Sequence, residues 1–284
     1  MQYQEDFNDP SLAEASDQFQ EDQFGRRLFR SGNFLPLGVN FIEETTVFRE
    51  FGPLAGRTMR IGYEYAPKLG ESTLSRQTVD ADVRYYLRMG SSGLLALRAR
   101  GFRSWGDAPD FMYFGGNSEM HGYEYLEFIG DRAGYLNAEL RFPFIEAMLT
   151  PIGVLGGIRG VLFANMGGAG FGETTDPARP GGPFKWASTS AETYTPIIGY
   201  STLNAFQQTP IFGQPSVIDG LRLVDARASY GIGLETFALG FPVHFDWSWK
   251  TLLNKDWEDL RFAAFGGSSA FRKPKFSLWI GYDF

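Results

Sequence analysis

The chain of 284 residues has a formal net charge of −7, contains no cysteine, and includes 27 Phe, 13 Tyr and 6 Trp. The acidic balance argues against nucleic acid as a partner, because phosphate binding needs a basic surface, and the lack of an uncharged apolar run of about 18 residues excludes membrane-spanning helices. The many aromatic residues fit a protein that is apolar at alternate positions, as transmembrane strands are. By composition alone, a soluble β-sandwich or a β-barrel enzyme fits as well.

Residues 1–34 differ from the rest because they are rich in Asp, Glu and Gln. We interpret them as an acidic polar loop or tether that is partly helical over residues 9–23. No signal peptide is present, since Met1 is followed by polar and acidic residues instead of a basic start and an apolar core. We therefore take the sequence as a mature segment or as the tail of a longer chain.

From Leu37 onward, apolar residues recur with a period of two, which predicts β-strands. A Gly-Pro turn is predicted over residues 51–56. Most runs approach the roughly 9 to 11 residues that a tilted strand needs to cross a bilayer. The nine predicted strands lie within residues 37–50, 59–65, 79–87, 95–100, 136–142, 158–165, 227–235, 244–250 and 275–284.

The last run alternates an apolar face with a small or polar face. A soluble sheet rarely leaves so apolar an edge open, because unpaired backbone groups beside aromatics invite aggregation. A closed barrel in lipid has no open edge. We therefore predict that residues 35–284 form an all-β, antiparallel transmembrane β-barrel. The apolar positions of this run are Phe276, Leu278, Ile280, Tyr282 and Phe284.

Charged residues occupy the opposite positions in the middle strands. In lipid, an Arg that faces the bilayer midplane costs roughly 2 to 4 kcal/mol, so these residues are expected to line the lumen. Both signs occur, so they can pair across strands. The six residues are Arg60, Asp80, Asp82, Arg84, Arg98 and Arg100.

Short and long connections alternate, as in outer-membrane barrels with short periplasmic turns and long outer loops. The short connections are residues 51–56, 88–93 and 240–243, and the long ones are 66–77, 103–132, 167–224 and 252–275. Residues 144–156 are long for a periplasmic turn. Residues 167–224 are predicted to be a large extracellular loop with short strands of its own.

Residues 114–123, followed by 139–144, resemble the sixth-loop region and the next strand of the BamA/TamA superfamily of outer-membrane assembly barrels, the bacterial surface antigen type. Residues 158–167 resemble the thirteenth strand of that barrel, and residues 281–284 match its C-terminal signal. The likeness covers about residues 36–284, the last nine of sixteen strands. It is closest to members fused to a TolB-like β-propeller.

The resemblance implies that a loop over residues 106–132 folds into the lumen. Its motif would be Gly115, Gly116, His121, Gly122 and Tyr123, docked on Glu139, Arg141 and Asn165. The family has an Arg at the place of His121 and an Asp at the place of Asn165. Losing both charges leaves neither one buried without a partner, and His121 can still hydrogen-bond Asn165 or Glu139. The implied C-terminal barrel signal is Phe276, Leu278, Ile280, Gly281, Tyr282 and Phe284.

By this resemblance the protein would serve protein assembly and translocation in the bacterial outer membrane, without enzyme activity, metal or cofactor. Its expected partners are outer-membrane lipid, the machinery that inserts it, and a periplasmic domain or other subunits that complete the barrel. One alternative is a structural anchor or subunit without insertase activity. Another is an enzyme barrel that uses His244 and Ser248, which share a face.

Nine strands is an odd number, whereas a single-chain bacterial barrel normally has an even one. We expect the missing strands upstream in a longer chain or in another subunit. A tenth strand within residues 23–35 is the less favoured alternative. The two histidines, without cysteine, cannot form a usual structural zinc site.

Overall fold

The computed structural model describes residues 10–24, 33–49, 52–70, 73–90, 92–145, 148–150, 153–155, 157–171, 184–204, 207–238 and 241–281. The protein is all-β, with one large antiparallel sheet and few helices. None of the helices in these ranges has the length and apolar character needed to cross a membrane.

Nine strands form the main path of the sheet, and each lies beside its neighbours in chain order. They are β1 (Leu37–Glu44), β2 (Gly52–Ala66), β3 (Arg76–Met89), β4 (Gly93–Gly106), β5 (Arg132–Ile145), β6 (Ile158–Gly170), β7 (Arg227–Ala238), β8 (Phe241–Thr251) and β9 (Lys275–Ile280). The path ends at β1 on one side and at β9 on the other, over the described ranges.

All nine predicted runs are strands of this sheet, but several boundaries differ. The Gly-Pro turn predicted over residues 51–56 is wrong for its described part, because β2 already begins at Gly52 and pairs with the short strand Val47–Arg49. β6 continues to Gly170, so the connection expected from residue 167 begins later. Tyr282 and Phe284 lie outside the described residues, as does most of the alternative tenth strand.

The ends of the strands lie along two opposite sides of the sheet, here called the short-turn edge and the long-loop edge. They differ from the edge strands of the sheet, β1 and β9. The short-turn edge carries the connections after β1, β3, β5 and β7, and the hairpin Met148–Thr150 with Gly153–Leu155 belongs to the third of these. The long-loop edge carries the connections after β2, β4, β6 and β8. The predicted alternation of connection lengths therefore agrees with the strand bounds.

The strand register separates two faces. Asp82 lies opposite both Arg60 and Arg100, and Arg84 lies opposite Arg98. Ion pairs cross this polar face: Arg98 Nη2 lies 2.7 Å from Asp82 Oδ2, and Arg100 Nη2 lies 3.3 Å from an Asp80 carboxylate oxygen. The six charged residues predicted to share a face do share one.

On β5 to β8, exposure of the two faces is the reverse of that in a soluble sheet. On the apolar face, Leu162 is 45% exposed and Ile232 is 49% exposed. On the polar face, Asn165 is 3% exposed and Asp246 is 4% exposed. Water-soluble proteins normally bury the apolar side chains and expose the charged ones.

The connections at the long-loop edge contain further structure. Short strands occur at Ala187–Ser188, Glu192–Tyr194, Ile197–Asn204, Gln207–Phe212, Ser216–Ile218 and Arg222–Leu223, as expected for the predicted large loop. Between β8 and β9 lie two helices that the sequence analysis missed, α2 (Lys255–Arg261) and α3 (Gly267–Phe271), with a 3-10 turn at Ala263–Phe265 between them. Near the amino terminus, helix α1 (Pro10–Phe24) matches the helix predicted for residues 9–23.

Candidate functional site: the junction of the motif loop and the sheet

The connection between β4 and β5, residues 107–131, is here called the motif loop. Its arms, Met112–Phe114 and Phe128–Gly130, pair as an antiparallel hairpin, and the rings of Phe114 and Phe128 stack with centroids 4.8 Å apart. Gly115 has φ +139°, and a Cβ there would lie 2.5 Å from the Glu124 carbonyl oxygen. The tight base of the loop therefore requires glycine at this position.

The motif loop packs on the polar face through an apolar cluster. Tyr123 reaches β7, where its hydroxyl donates to the Ala228 carbonyl at 3.0 Å. Burial raises the pKa of Tyr123, so its hydroxyl stays a neutral donor. The Tyr135 hydroxyl of β5 donates to Glu119 Oε1 at 3.2 Å. The buried members of the cluster are Met112, Phe114, Met120, Tyr123, Phe128, Ala133 and Tyr135.

His121 is the polar centre of the junction and is only 4% exposed. Its ring stacks on Phe163 of β6 with centroids 4.0 Å apart. Asn165 Nδ2, two residues further along β6, donates to His121 Nδ1 at 3.2 Å. The same Asn165 nitrogen lies 3.3 Å from Ser229 Oγ. Geometry and hydrogen bonding thus place the loop over β6 and β7.

On the other side of the His121 ring lies Asp246 of β8. His121 Nε2 is 3.7 Å from Asp246 Oδ2, which also accepts a hydrogen bond from Trp279 Nε1 of β9 at 2.6 Å. Because Asn165 donates to Nδ1, the tautomer that fits is the one with its proton on Nε2, facing the carboxylate. A chain of polar contacts therefore runs from β6 through the loop to β9.

Gly122 brings the loop backbone close to β8. Its φ is +86°, and a Cβ there would lie 2.7 Å from Ser248 Oγ. Two contacts flank this point: Lys250 Nζ lies 4.5 Å from the centre of the Tyr123 ring, and Lys275 Nζ lies 2.6 Å from Glu124 Oε1. These contacts place residues 122–124 of the motif loop against β8 and β9.

The three predicted docking partners differ in what they contact. Asn165 binds the loop through His121, as described above. Glu139 and Arg141 are both buried on β5 and form an ion pair with each other, with Arg141 Nη2 2.6 Å from Glu139 Oε2. Their proposed role in docking the loop stays a prediction.

The alternative catalytic pair is separated along β8. Four strand positions span about 13 Å at the usual rise of 3.3 Å per residue. His244 Nε2 donates to the Gly281 carbonyl at 2.9 Å, and its ring stacks on Trp279. Ser248 Oγ donates to the Lys275 carbonyl at 3.3 Å. Nothing in this geometry lets His244 take a proton from Ser248.

Asp246, Ser229 and Phe163 were not singled out from the sequence as site residues. The alternation of side chains between the two faces could have found them. Phe163 and Asn165 are two residues apart on β6, so they share a face. Asn165 lies opposite Ser229, and Asp246 lies opposite Ser277. Over the described ranges, His, Asp and Glu form no cluster of three or more that could hold a metal ion.

No protein-family model matches the chain, and comparison with curated proteins gives no match either. The resemblance to the BamA/TamA superfamily therefore rests on the sequence motifs alone.

Proposed function

We propose that the chain forms the C-terminal part of an antiparallel β-barrel in the bacterial outer membrane and assists the insertion or translocation of polypeptides, as its resemblance to the BamA/TamA superfamily implies. The proposed membrane location rests on one observation: the sheet exposes its apolar face, and on β5 to β8 it buries its polar face. Lipid would cover the apolar face, and the polar face would line a lumen filled by the motif loop. A guanidinium on the lipid side at the bilayer midplane would cost roughly 2 to 4 kcal/mol.

The proposed mechanism is templating. β9 lies at an edge of the sheet, where its backbone groups can offer hydrogen bonds to an incoming strand. The motif loop supports this edge because its contacts reach Asp246 on β8 and Lys275 on β9. In this mechanism residues supply geometry instead of acid or base chemistry. The long-loop edge would face outward and the short-turn edge the periplasm.

A second candidate is a structural barrel that anchors a partner domain without inserting clients. The observation that favours it is the hydrogen bond between His121 and the uncharged amide of Asn165, where the related family has an ion pair. A neutral hydrogen bond contributes about half the stability of a charge-assisted one. A weaker attachment of the motif loop to the sheet would suit a barrel that does not insert other proteins.

Reconstitution of the chain in lipid vesicles tests the two candidates. We expect a denatured β-barrel client to fold faster, by its shift in gel mobility, in vesicles that contain the chain than in empty vesicles. The acceleration should fall in the variant His121→Ala. An embedded chain that leaves the client's folding rate unchanged would favour the structural anchor, and a chain that stays in water would contradict both candidates.

A further inference from the structure

A groove of about 540 Å³ crosses the apolar face of the sheet from β3 to β8. One row of paired positions follows its course, since opposite residues of neighbouring strands share a face. Neighbouring strands lie about 4.8 Å apart, so a row across six strands spans roughly 24 Å. The positions of the row are Val83, Ala99, Leu136, Met166, Ala228 and Thr251.

Short side chains occupy the centre of this groove. Ala138 of β5 and Ala164 of β6 lie opposite each other, and both line the groove. Their larger neighbours Leu136 and Tyr230 are about half exposed, so the two alanines leave a depression between side chains that extend further from the sheet. An apolar depression of this kind offers water few hydrogen bonds and suits a hydrocarbon ligand.

The row extends from the middle of the sheet to the long-loop edge. Val83 lies near the centre of β3, whereas Thr251 is the last residue of β8. The hydrocarbon core of a bilayer is about 30 Å thick, and one leaflet accounts for half of it. In the orientation proposed above, the groove would therefore pass through the outer leaflet, from the headgroups to the bilayer centre.

The long-loop end of the groove lies beside a fixed guanidinium. The Thr251 hydroxyl donates to Oε1 of the buried Glu258 at 3.0 Å, and Nη2 of Arg272, which directly follows α3, donates to the same oxygen at 3.0 Å. Arg272 also lies close enough to the Tyr230 phenol for an electrostatic interaction. Its side chain is 39% exposed, and the next residue, Lys273, is exposed as well. Glu258 offsets one of these two positive charges, so the rim of the groove suits an anionic group.

We propose that this groove binds one acyl chain of an outer-leaflet lipid whose anionic phosphate headgroup lies beside Arg272 and Lys273. Lipid tails are as apolar as the groove, so burial alone would not favour one lipid over another. Specificity would come from the fit of the chain between Leu136 and Tyr230 and from the charge of the headgroup. This inference rests on the proposed function and adds which lipid covers this part of the apolar face.

Photo-cross-linking in vesicles tests the proposal. The chain is embedded in phosphatidylcholine vesicles that contain a trace of phosphatidylglycerol with a diazirine in the middle of one acyl chain, and adducts are located by mass spectrometry. Met166 in the groove and Leu162 outside it are matched, because they lie two residues on either side of Ala164, the central residue of β6. We expect several-fold more adducts at Met166. Equal labelling would mean that ordinary boundary lipid covers this face, and it would overturn the proposal.

A groove-filling variant tests the fit of the acyl chain. Ala164→Phe should lower the labelling of Met166 several-fold, because the larger ring occupies the depression. The matched variant Leu162→Phe, on the same face of the same strand, should leave that labelling unchanged. An equal effect of the two variants, or no effect of either, would contradict binding in the groove.

The headgroup is tested with a second probe, phosphatidylcholine that carries the same diazirine chain. We expect the phosphatidylglycerol probe to label Met166 several-fold more than this zwitterionic probe. Lys273→Gln should reduce the difference, whereas Lys68→Gln, in the connection after β2, should keep it. Equal labelling by the two probes would contradict recognition of the anionic headgroup. A chain that embeds without preferential labelling of Met166 would defeat only the present inference, and a chain that stays in water would defeat the proposed function with it.

Discussion

Gly122 carries two constraints that a larger residue would violate together: a positive φ of +86° and a close approach to Ser248. Gly90, in the turn after β3, shares only the first, with φ +64° and open space around its Cβ position. Comparison of the two positions separates backbone strain from loss of docking.

We predict that proteases cleave the motif loop faster in the Gly122→Ala variant than in the Gly90→Ala variant. Left-handed backbone costs a non-glycine residue about 1 to 2 kcal/mol at either site, and only Gly122→Ala adds a clash with β8. Limited proteolysis within residues 107–131 measures the effect. Equal cleavage in the two variants would show that the contact with Ser248 does not hold the loop.

The hydrogen bond from Asn165 to His121 predicts energetic coupling. We expect His121→Ala and Asn165→Ala each to lower the free energy of unfolding by about 1 to 3 kcal/mol, because each leaves a buried polar partner unsatisfied. The double variant should cost less than the sum, since contacting residues couple by about 0.5 to 3 kcal/mol. Denaturant titration of the four proteins checks this, and strict additivity would mean that the contact contributes nothing.

At the scale of the elements, the connections at the long-loop edge are stabilised by a separate hydrophobic core. Trp257 of α2 donates through Nε1 to the Leu223 carbonyl at 2.7 Å, and its ring lies 4.7 Å from that of Tyr194. The guanidinium carbon of Arg222 lies 5.7 Å from the Trp257 ring centre, and Arg222 Nη2 lies 2.9 Å from Glu192 Oε2. These contacts join the connection after β6 to the connection after β8.

Acid should loosen this region through Glu192. Hydrogen bonds from Lys185, and further ones from Arg222, lower the pKa of Glu192 below its ordinary 4.5. A carboxyl with a lowered folded-state pKa stabilises the fold above its unfolded-state pKa, and this contribution is lost as pH falls through the folded value. We expect proteolysis of residues 184–226 to increase below pH 4.5. The pH-insensitive variant Glu192→Gln should show a smaller increase, and an identical pH profile would contradict this assignment.

The sequence predicted the strands well because their side-chain period is set by the two faces of the sheet. The family resemblance left His121 two possible hydrogen-bond partners, Asn165 and Glu139, and the structure shows the contact with Asn165. Residues 52–56 were read as a turn because Gly and Pro usually mark one, yet they extend β2. The α2 and α3 helices were missed because the segment is short and is held by tertiary contacts, such as that of Trp257 with Leu223, which local periodicity does not encode.

Asp246 shows a different limit of sequence analysis. The period of two places Asp246 on the same face of β8 as His244 and Ser248. Its contact with His121 depends on how residues 107–131 fold back over the sheet. Such long-range placement is decided by packing, here of Tyr123 against β7 and of Phe163 against the His121 ring.

For the whole molecule, the central observation is a sheet whose apolar face is exposed or half-exposed and whose polar face is buried on β5 to β8. A long, open and apolar sheet is an aggregation hazard in water. In lipid the same surface is solvated by acyl chains. In the proposed membrane location, further strands would be needed beside β1 and β9, because an unpaired backbone edge is costly in hydrocarbon.

Fluorophores placed at two adjacent positions of β2 test the partition of the faces most directly. Arg60 lies on the polar face and Ile61, its neighbour, is exposed on the apolar face. In vesicles, we predict that a label on Ile61→Cys is quenched by brominated acyl chains and a label on Arg60→Cys by aqueous iodide. Quenching of both labels by iodide alone, or the reverse assignment, would contradict the account.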